Sequence, residues 1–219
     1  LLFLHQFLKT CPKNITVNLF YPGYSTSVRH GGVTLAQDGG ALRSVLTQLA
    51  NSKYVAYLDD DNWWGKSHLS DLLLAIQNKA WAFSLRYLMH PESEKIICLD
   101  EWESAGVGKG IYAQVFGGFV DPNCLMINKE LCWDAVACWS FPLSKGTNTA
   151  DRNIFNFLKN HSEPGETKTA SCFYVVNPKD GLQAYILSVI DESYHGLLNV
   201  ELPQEKKDLI SKRLHSSVF

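Results

Sequence analysis

Short apolar runs alternate along the chain with segments whose apolar residues recur every three or four positions, the two periodicities of strands and helices. Residues 15–21 (ITVNLFY) are β-branched and aromatic and end at Pro22-Gly23, which predicts a strand closed by a turn. The stretch 25–40 is polar and glycine-rich and reads as a loop. Leu42, Val45, Leu46 and Leu49 then fall at helical spacing behind Gly39-Gly40, which allow a tight entry. Residues 54–58 (YVAYL) have strand length and stop abruptly at three aspartates. Ser67 stands where it can cap a helix carrying Leu69, Leu72, Leu73 and Ile76 on one face. Residues 80–88 (AWAFSLRYL) predict another strand and 95–99 its hairpin-like continuation.

Five glycines within 104–118 predict a flexible loop. Residues 119–127 read as strand, 129–139 as helix and 140–149 as polar loop. Asp151 opens a helix whose Ile154, Phe157 and Leu158 share a face. Residues 171–176 (SCFYVV) form the last predicted strand, followed by helices over 183–190 and 204–214, the latter with a solvated face of Lys and Glu. Strands interleaved with crossover helices argue for an α/β layered sheet. The expectation is one domain, with a core over about 15–180 and a helical tail over 181–219.

Composition removes several classes of function. With 46% hydrophobic and 19% charged residues, the chain is too apolar to be disordered. Lys and Arg total 20 against 22 Asp and Glu, a net charge of -2, so no basic excess exists to neutralise a nucleic-acid backbone. Uncharged apolar runs fall far short of the roughly 20 residues a spanning helix needs. No transmembrane segment is expected, and the location expected is cytoplasmic, with peripheral membrane association as its variant. Residues 1–8 are apolar but lack a basic start and a small-residue cleavage site. Because the first residue is Leu, the chain is expected to be processed or a piece of something longer. The six cysteines show no C-x-x-C spacing, and reduced core thiols are expected rather than a disulfide framework.

The strongest chemical signal is the run YVAYLDDDNWW over 54–64. Three adjacent carboxylates, Asp59, Asp60 and Asp61, repel one another unless a cation or donors offset them. They follow an apolar strand, and in open α/β sheets ligands bind at the carboxyl ends of strands. Mg²⁺ or Mn²⁺ with oxygen ligands suits such a cluster and would in turn hold a diphosphate. The competing reading is a solvated acidic turn. A calcium loop fails, because Ser70 occupies the position where its closing Glu belongs.

These residues resemble glycosyltransferase family 2. The segments that carry the resemblance are GGALR over 39–43, the ANSKYVAYLDDDNWW run over 50–64 and His68-Leu69. Two later segments extend it: FVDPNCLMINKE over 119–130 is similar to an acceptor-side strand and helix, and TADRNIF over 149–155 to a helix start. The resemblance implies a GT-A-like, Rossmann-like sheet, mixed and mostly parallel, flanked by helices. It implies nucleotide-sugar binding by Arg43, Asp59, Asp60 and Asp61, with Asp61 as the main metal ligand and Asp59 beside it. It also implies Asp151 as the catalytic base, and Asp121 on the acceptor side with Trp63. Ser44 stands where the family has Asn, and Ala150 where it has an acid. The family's opening strand has no counterpart before residue 15, and YPGY over 21–24 replaces an acidic turn, so the usual first strand is expected to be missing.

The resemblance thus implies an inverting, metal-dependent glycosyltransferase with Mn²⁺ or Mg²⁺, a nucleotide-diphosphate sugar donor (a UDP-sugar foremost) and a hydroxyl acceptor. Two alternatives stay open: a non-catalytic sugar- or nucleotide-binding domain of the same fold, and a nucleotide-sugar-forming nucleotidyltransferase. Asp151 has a competing role as a helix-capping acid. The GVGKG run over 106–110 lacks phosphate-loop spacing and reads as a mobile loop that closes over substrate. Of Trp63, Trp64, Trp102 and Trp139, one is expected to face an acceptor sugar. His195 stands alone as a late metal-ligand candidate, more simply a structural residue.

Overall fold

The computed structural model describes residues 9–35, 39–141, 149–190, 192–197 and 201–218. Part of the predicted 140–149 loop lies outside these residues. In chain order the helices are α1 (Gly40–Leu49), α2 (His68–Ala75), α3 (Ala113–Phe116), α4 (Ala135–Cys138), α5 (Ala150–His161), α6 (Gly181–Val189) and α7 (Gln204–Val218). The strands are β1 (Tyr54–Ala56), β2 (Trp63–Trp64), β3 (Trp81–Met89), β4 (Ile96–Leu99), β5 (Gly106–Val107), β6 (Gly118–Phe119), β7 (Leu125–Asn128) and β8 (Gly165–Val175).

Six strands make one mixed sheet in the order β1-β7-β3-β8-β2, with β4 also on β3. β3 is its spine. Its first half pairs with β7, its second half with β4, and its other edge with β8. Every β3 residue is buried except the half-buried Leu85, as expected for a strand covered on both faces. β1, β3 and β8 run one way, while β2, β4 and β7 run the other. Only β3–β8 is a parallel pair among the described residues, so the expectation of a mostly parallel sheet is corrected. The reason is local: β7 wedges antiparallel between β1 and β3, and β4 returns through a tight turn in which His90 N–H donates to the Lys95 carbonyl at 2.8 Å.

Helices pack on the sheet through distinct apolar clusters. Trp81, Phe83, Trp139, Ile154, Phe155 and Leu158 join the sheet to α4 and α5. Leu88, Ile97, Ile186, Ile190 and Ile210 join it to α6 and α7, so the C-terminal helix buries a side chain in this core as well as presenting charge to water. Leu72, Ile76, Ala82 and Met126 fill the space under α2, while Leu69 and Leu73 stay exposed. All six cysteines are free thiols, and Cys98, Cys124, Cys132 and Cys172 are buried.

Several predicted elements form differently. Residues 15–21 belong to no strand, with Tyr21 84% exposed, because strand propensity needs a neighbouring strand to be realised. α1 forms, yet its buried residues are Gly40, Ser44 and Thr47, while Val45, Leu46 and Leu49 face water. Gly40 explains the orientation: a Cβ there would lie 2.1 Å from the Trp139 carbonyl oxygen, so the helix approaches α4 backbone to backbone. The predicted 104–118 loop is an antiparallel ribbon of β5 and β6 with α3 between them. Its Gly118, at φ +96°, would place a Cβ 2.1 Å from the Gly106 carbonyl, so close backbone approach accounts for that glycine. The predicted 119–127 strand breaks at Pro122, which starts a 3₁₀ turn, Pro122–Cys124, capped by Asp121. Among the described residues, no helix is long and apolar enough to cross a membrane.

Candidate active site

The aspartate run lies past the carboxyl end of β1, and the residues around it tie it down on two sides. Tyr57 is buried, and its hydroxyl oxygen accepts from Thr47 Oγ1 and Trp139 Nε1, both at 3.1 Å. Burial pushes this phenol up to about 12, so it is a neutral anchor. Asp59 then meets two donors and one acceptor. Its backbone N–H donates to Asn123 Oδ1 at 2.7 Å, its Oδ2 accepts from Asn123 Nδ2 at 2.9 Å, and its Oδ1 pairs with Arg43 from α1. The Arg43 guanidinium also sits over the Trp139 ring, 5.3 Å from its centroid.

The far side of the turn is fixed to β8. Asn62 Oδ1 accepts from the Val175 N–H at 2.8 Å, and Trp63 and Trp64 pair with Phe173 and Cys172. Trp64 Nε1 donates to the Asn123 carbonyl at 2.8 Å, and its ring stacks on His68 at 4.7 Å. His68 reaches Ser171 Oγ through Nδ1 at 2.8 Å, while its buried Nε2 has no partner. Burial lowers this imidazole to about 4, so it is neutral at pH 7. Asp60 and Asp61 are left exposed at the tip. Partial burial, then the charges of Asp59, Asp60 and Asp121, raise the Asp61 carboxyl above the ordinary aspartate range.

Behind the turn runs a buried polar network that sequence reasoning missed. Asp121 Oδ1 accepts from the Asn123 N–H at 2.8 Å and from its Nδ2 at 2.7 Å. Asp121 Oδ2 accepts from Arg86 Nη1 at 2.7 Å. Arg86, fully buried on β3, also donates from Nε to Asp100 Oδ2 at 2.7 Å and from Nη2 to Glu103 Oε2 at 2.9 Å. Its guanidinium lies over the Tyr174 ring at 3.8 Å. Asp100 additionally accepts three backbone N–H groups, from Trp102, Glu103 and Ser104, at 2.9–3.0 Å. The Arg86 charge, and after it these backbone donors, hold the Asp100 carboxyl below its ordinary value despite burial. Glu103 has fewer donors, and burial pushes its carboxyl up to about 7.

Arg43 and Asp59 are therefore brought together, with Asp60 and Asp61 beside them. Asp121 is buried with both oxygens engaged, so it stands behind the turn and supports it. Trp63 is 36% exposed and stacks on Phe173 at 5.9 Å, whereas Trp102 and Trp139 are buried and Trp64 half-buried. Asp151 sits in the first turn of α5, where its Oδ1 accepts from the Arg152 N–H at 2.7 Å. Lys109 of the GVGKG run lies 3.6 Å from Glu166 of β8. His195 meets His90, ring centroids 5.5 Å apart.

Among the described residues, no group of three His, Cys, Asp or Glu side chains is placed to hold a metal. Asp59 already spends its oxygens on Arg43 and Asn123. Asp61 fits better: an exposed hard oxygen donor in excess negative charge, with Asp60 adjacent.

Solved structures of S. aureus TarS align with this chain. Their identities to it are 16%, 17% and 16%, and their TM-scores 0.42, 0.41 and 0.42. The alignments cover 80%, 80% and 83% of this chain but 30%, 50% and 52% of the TarS chains, so it spans about half of their length or less. The second of these structures is a complex of TarS 1-349 with UDP. No protein-family model matches the chain, and no curated protein matches it.

Of the residues missed, Arg86 left a trace. A lone arginine inside an apolar strand must find buried anions, because an unpaired charge there is prohibitively costly. Asn123, Asp100 and Glu103 left no comparable sign, since their partners come from distant segments.

Proposed function

We propose that the chain binds a nucleotide-diphosphate sugar at the Asp59–Asp61 turn and transfers the sugar, with inversion, to a hydroxyl acceptor. The observation that carries this reading is the division of labour among the aspartates. Asp59 is immobilised and neutralised by Arg43 and Asn123, while Asp60 and Asp61 project with uncompensated charge. A structural acidic turn has no need of such bracing, whereas a ligand site does, because preorganised donors cost no reorganisation during reaction. Asp61, with Asp60 beside it, would hold Mn²⁺ or Mg²⁺. Such a cation supplies positive charge for the leaving diphosphate. Arg43 orients Asp59, and the Asp121–Asn123 pair keeps the turn rigid.

Asp151, the one acid at the start of α5, takes the acceptor proton. The acceptor oxygen then uses its electron pair to form a bond at the anomeric carbon, opposite the leaving group. The bond to the diphosphate breaks with its electrons on the diphosphate oxygen, which inverts the centre.

Calorimetry with UDP, GDP and TDP, each with and without Mn²⁺, tests the reading. Cation-dependent binding of at least one is expected, weakened about ten-fold or more in Asp61→Asn, the equivalent of about 1.4 kcal/mol. Absence of cation-dependent binding for all three diphosphates overturns it.

A further inference from the structure

The aspartate turn lies past one end of β1, and a hollow opens at the other end, where β1 begins. It holds about 390 Å³, and Asn51, Lys53, Lys129, Glu130 and Trp133 are among the residues that line it. Trp133 precedes α4 and is 53% exposed, the most exposed of the six tryptophans. The frame around it is fixed. Lys129 is buried, and its Nζ donates to the Thr47 carbonyl at 3.1 Å and to the Ala50 carbonyl, where α1 ends. The same ammonium stands 5.5 Å from the Trp133 ring centroid and holds the indole by cation–π attraction. At the rim, Lys53 Nζ and Glu130 Oε2 form an ion pair at 2.8 Å, and the Lys129 N–H donates to the Lys53 carbonyl at 2.9 Å. The Asn51 side-chain amide and the Trp133 indole N–H have no hydrogen-bond partner among the described residues.

These groups select a ligand by charge and by shape. Lys53 is matched by Glu130, and the Lys129 charge is absorbed by the carbonyl end of α1. A neutral ligand is therefore favoured, because an anion meets Glu130 and a cation meets both lysines. The exposed indole offers a flat apolar surface, whereas Asn51, Lys53 and Glu130 offer donors and acceptors around the same hollow. A pyranose ring presents both counterparts, an apolar face of C–H groups and a rim of hydroxyls. Each hydroxyl donates and accepts, so two neighbouring ones can bridge Lys53 and Glu130 without breaking the pair. A nucleotide base would also stack, but the phosphate that comes with it meets Glu130.

We propose that Trp133, Asn51 and the Lys53–Glu130 pair form a carbohydrate-binding site for a neutral pyranose within an oligosaccharide. The sugar stacks on Trp133, and its hydroxyls bond to Asn51 and to the ion pair. Lys53 and Asp59 are six residues apart, so the backbone places this site up to about 20 Å from the aspartate turn. That separation suits a ligand longer than one sugar. Its use in holding the far end of a polymeric acceptor rests on the transferase reading; the binding itself does not.

Nitrogen-15 NMR of the tryptophan indoles tests the site without UDP or metal. Maltotriose, cellotriose and chitotriose serve as probes, sorbitol as a polyol without a ring face, and uridine as a flat ring without a charge. The Trp133 signal is the one missing in Trp133→Ala. At least one trisaccharide is expected to move that signal saturably at millimolar concentration, while sorbitol leaves it in place. Asn51→Ala and Glu130→Gln change exposed side chains and leave the fold intact. Each should weaken the binding by roughly three- to ten-fold, the loss of one hydrogen bond. No saturable shift with any trisaccharide overturns the site, as does an equal shift with sorbitol, or binding undiminished in both variants. A response to uridine alone also overturns it, in favour of a base-stacking surface. UDP with Mn²⁺ should leave the Trp133 signal unmoved. Absence of UDP binding sinks the transferase reading and leaves this site in place.

Discussion

Asn123 grips Asp59 from both ends of its amide, accepting the Asp59 backbone N–H at 2.7 Å and donating to Asp59 Oδ2 at 2.9 Å. The same Nδ2 also donates to Asp121 Oδ1 at 2.7 Å, so one amide keeps two carboxylates together. Asn123→Asp replaces that donor with a third negative charge and is expected to destabilise more than Asn123→Ala. The alanine variant should lose roughly 1–3 kcal/mol by leaving buried groups unpaired. Urea denaturation orders the two, and an aspartate variant as stable as the alanine one refutes the shared-donor role.

Arg86 donates to Asp100, Asp121 and Glu103 at once. Arg86→Met is expected to destabilise by roughly 3–5 kcal/mol, because it strands buried carboxylates. Adding Asp121→Asn to Arg86→Met should recover part of that loss, a coupling that a double-mutant cycle detects. Arg86→Lys should fare little better than Met, since a single ammonium cannot reproduce three separately directed donors.

The neutral His68 makes stability depend on pH. Its folded value is about 4 against an ordinary 6.5. The unfolded chain therefore gains a proton as pH falls through 6.5, and the folded chain does not until about 4. Stability from this group is complete above 6.5, lost progressively down to about 4, and flat below, roughly 3 kcal/mol in all. Urea midpoints between pH 7.5 and 4.5 should fall in the parent, and fall less in His68→Gln. Equal slopes in both proteins would falsify the assignment.

Two glycines make opposite predictions for one substitution. Gly181 starts α6 with open space around its missing Cβ, so Gly181→Ala should stabilise by a few tenths of a kcal/mol or more. Gly40 abuts the Trp139 carbonyl, so Gly40→Ala should destabilise, by roughly 1–3 kcal/mol. Thermal unfolding followed by circular dichroism separates them.

The order of elements was legible wherever apolar period and length agreed. β3, β4 and α5 stand close to their predicted ranges, with most of the apolar residues marked in the sequence buried, while β1 keeps three of its five predicted residues, all half-buried. Failures occurred where a partner decides the outcome. α1 turned its Gly40-Ser44-Thr47 side inward because a backbone contact outweighed its leucines, and residues 15–21 found no strand to join. In the candidate site, the consecutive aspartates were visible because like charges in sequence are like charges in space. The Asn123, Asp121, Arg86 and Glu103 chain was not, since it spans separations of up to 64 residues that period and spacing do not encode.

The buried thiols divide between the apolar clusters: Cys98 belongs to the one beneath α6 and α7, and Cys124, Cys132 and Cys172 to the one beneath α4 and α5. The molecule therefore carries its own clock for each region. Under pulses of an alkylating reagent in mild denaturant, simultaneous modification of all four positions means that both clusters open in a single cooperative event. Earlier modification of Cys98 means that the C-terminal helices melt away first, as a separate unit of folding.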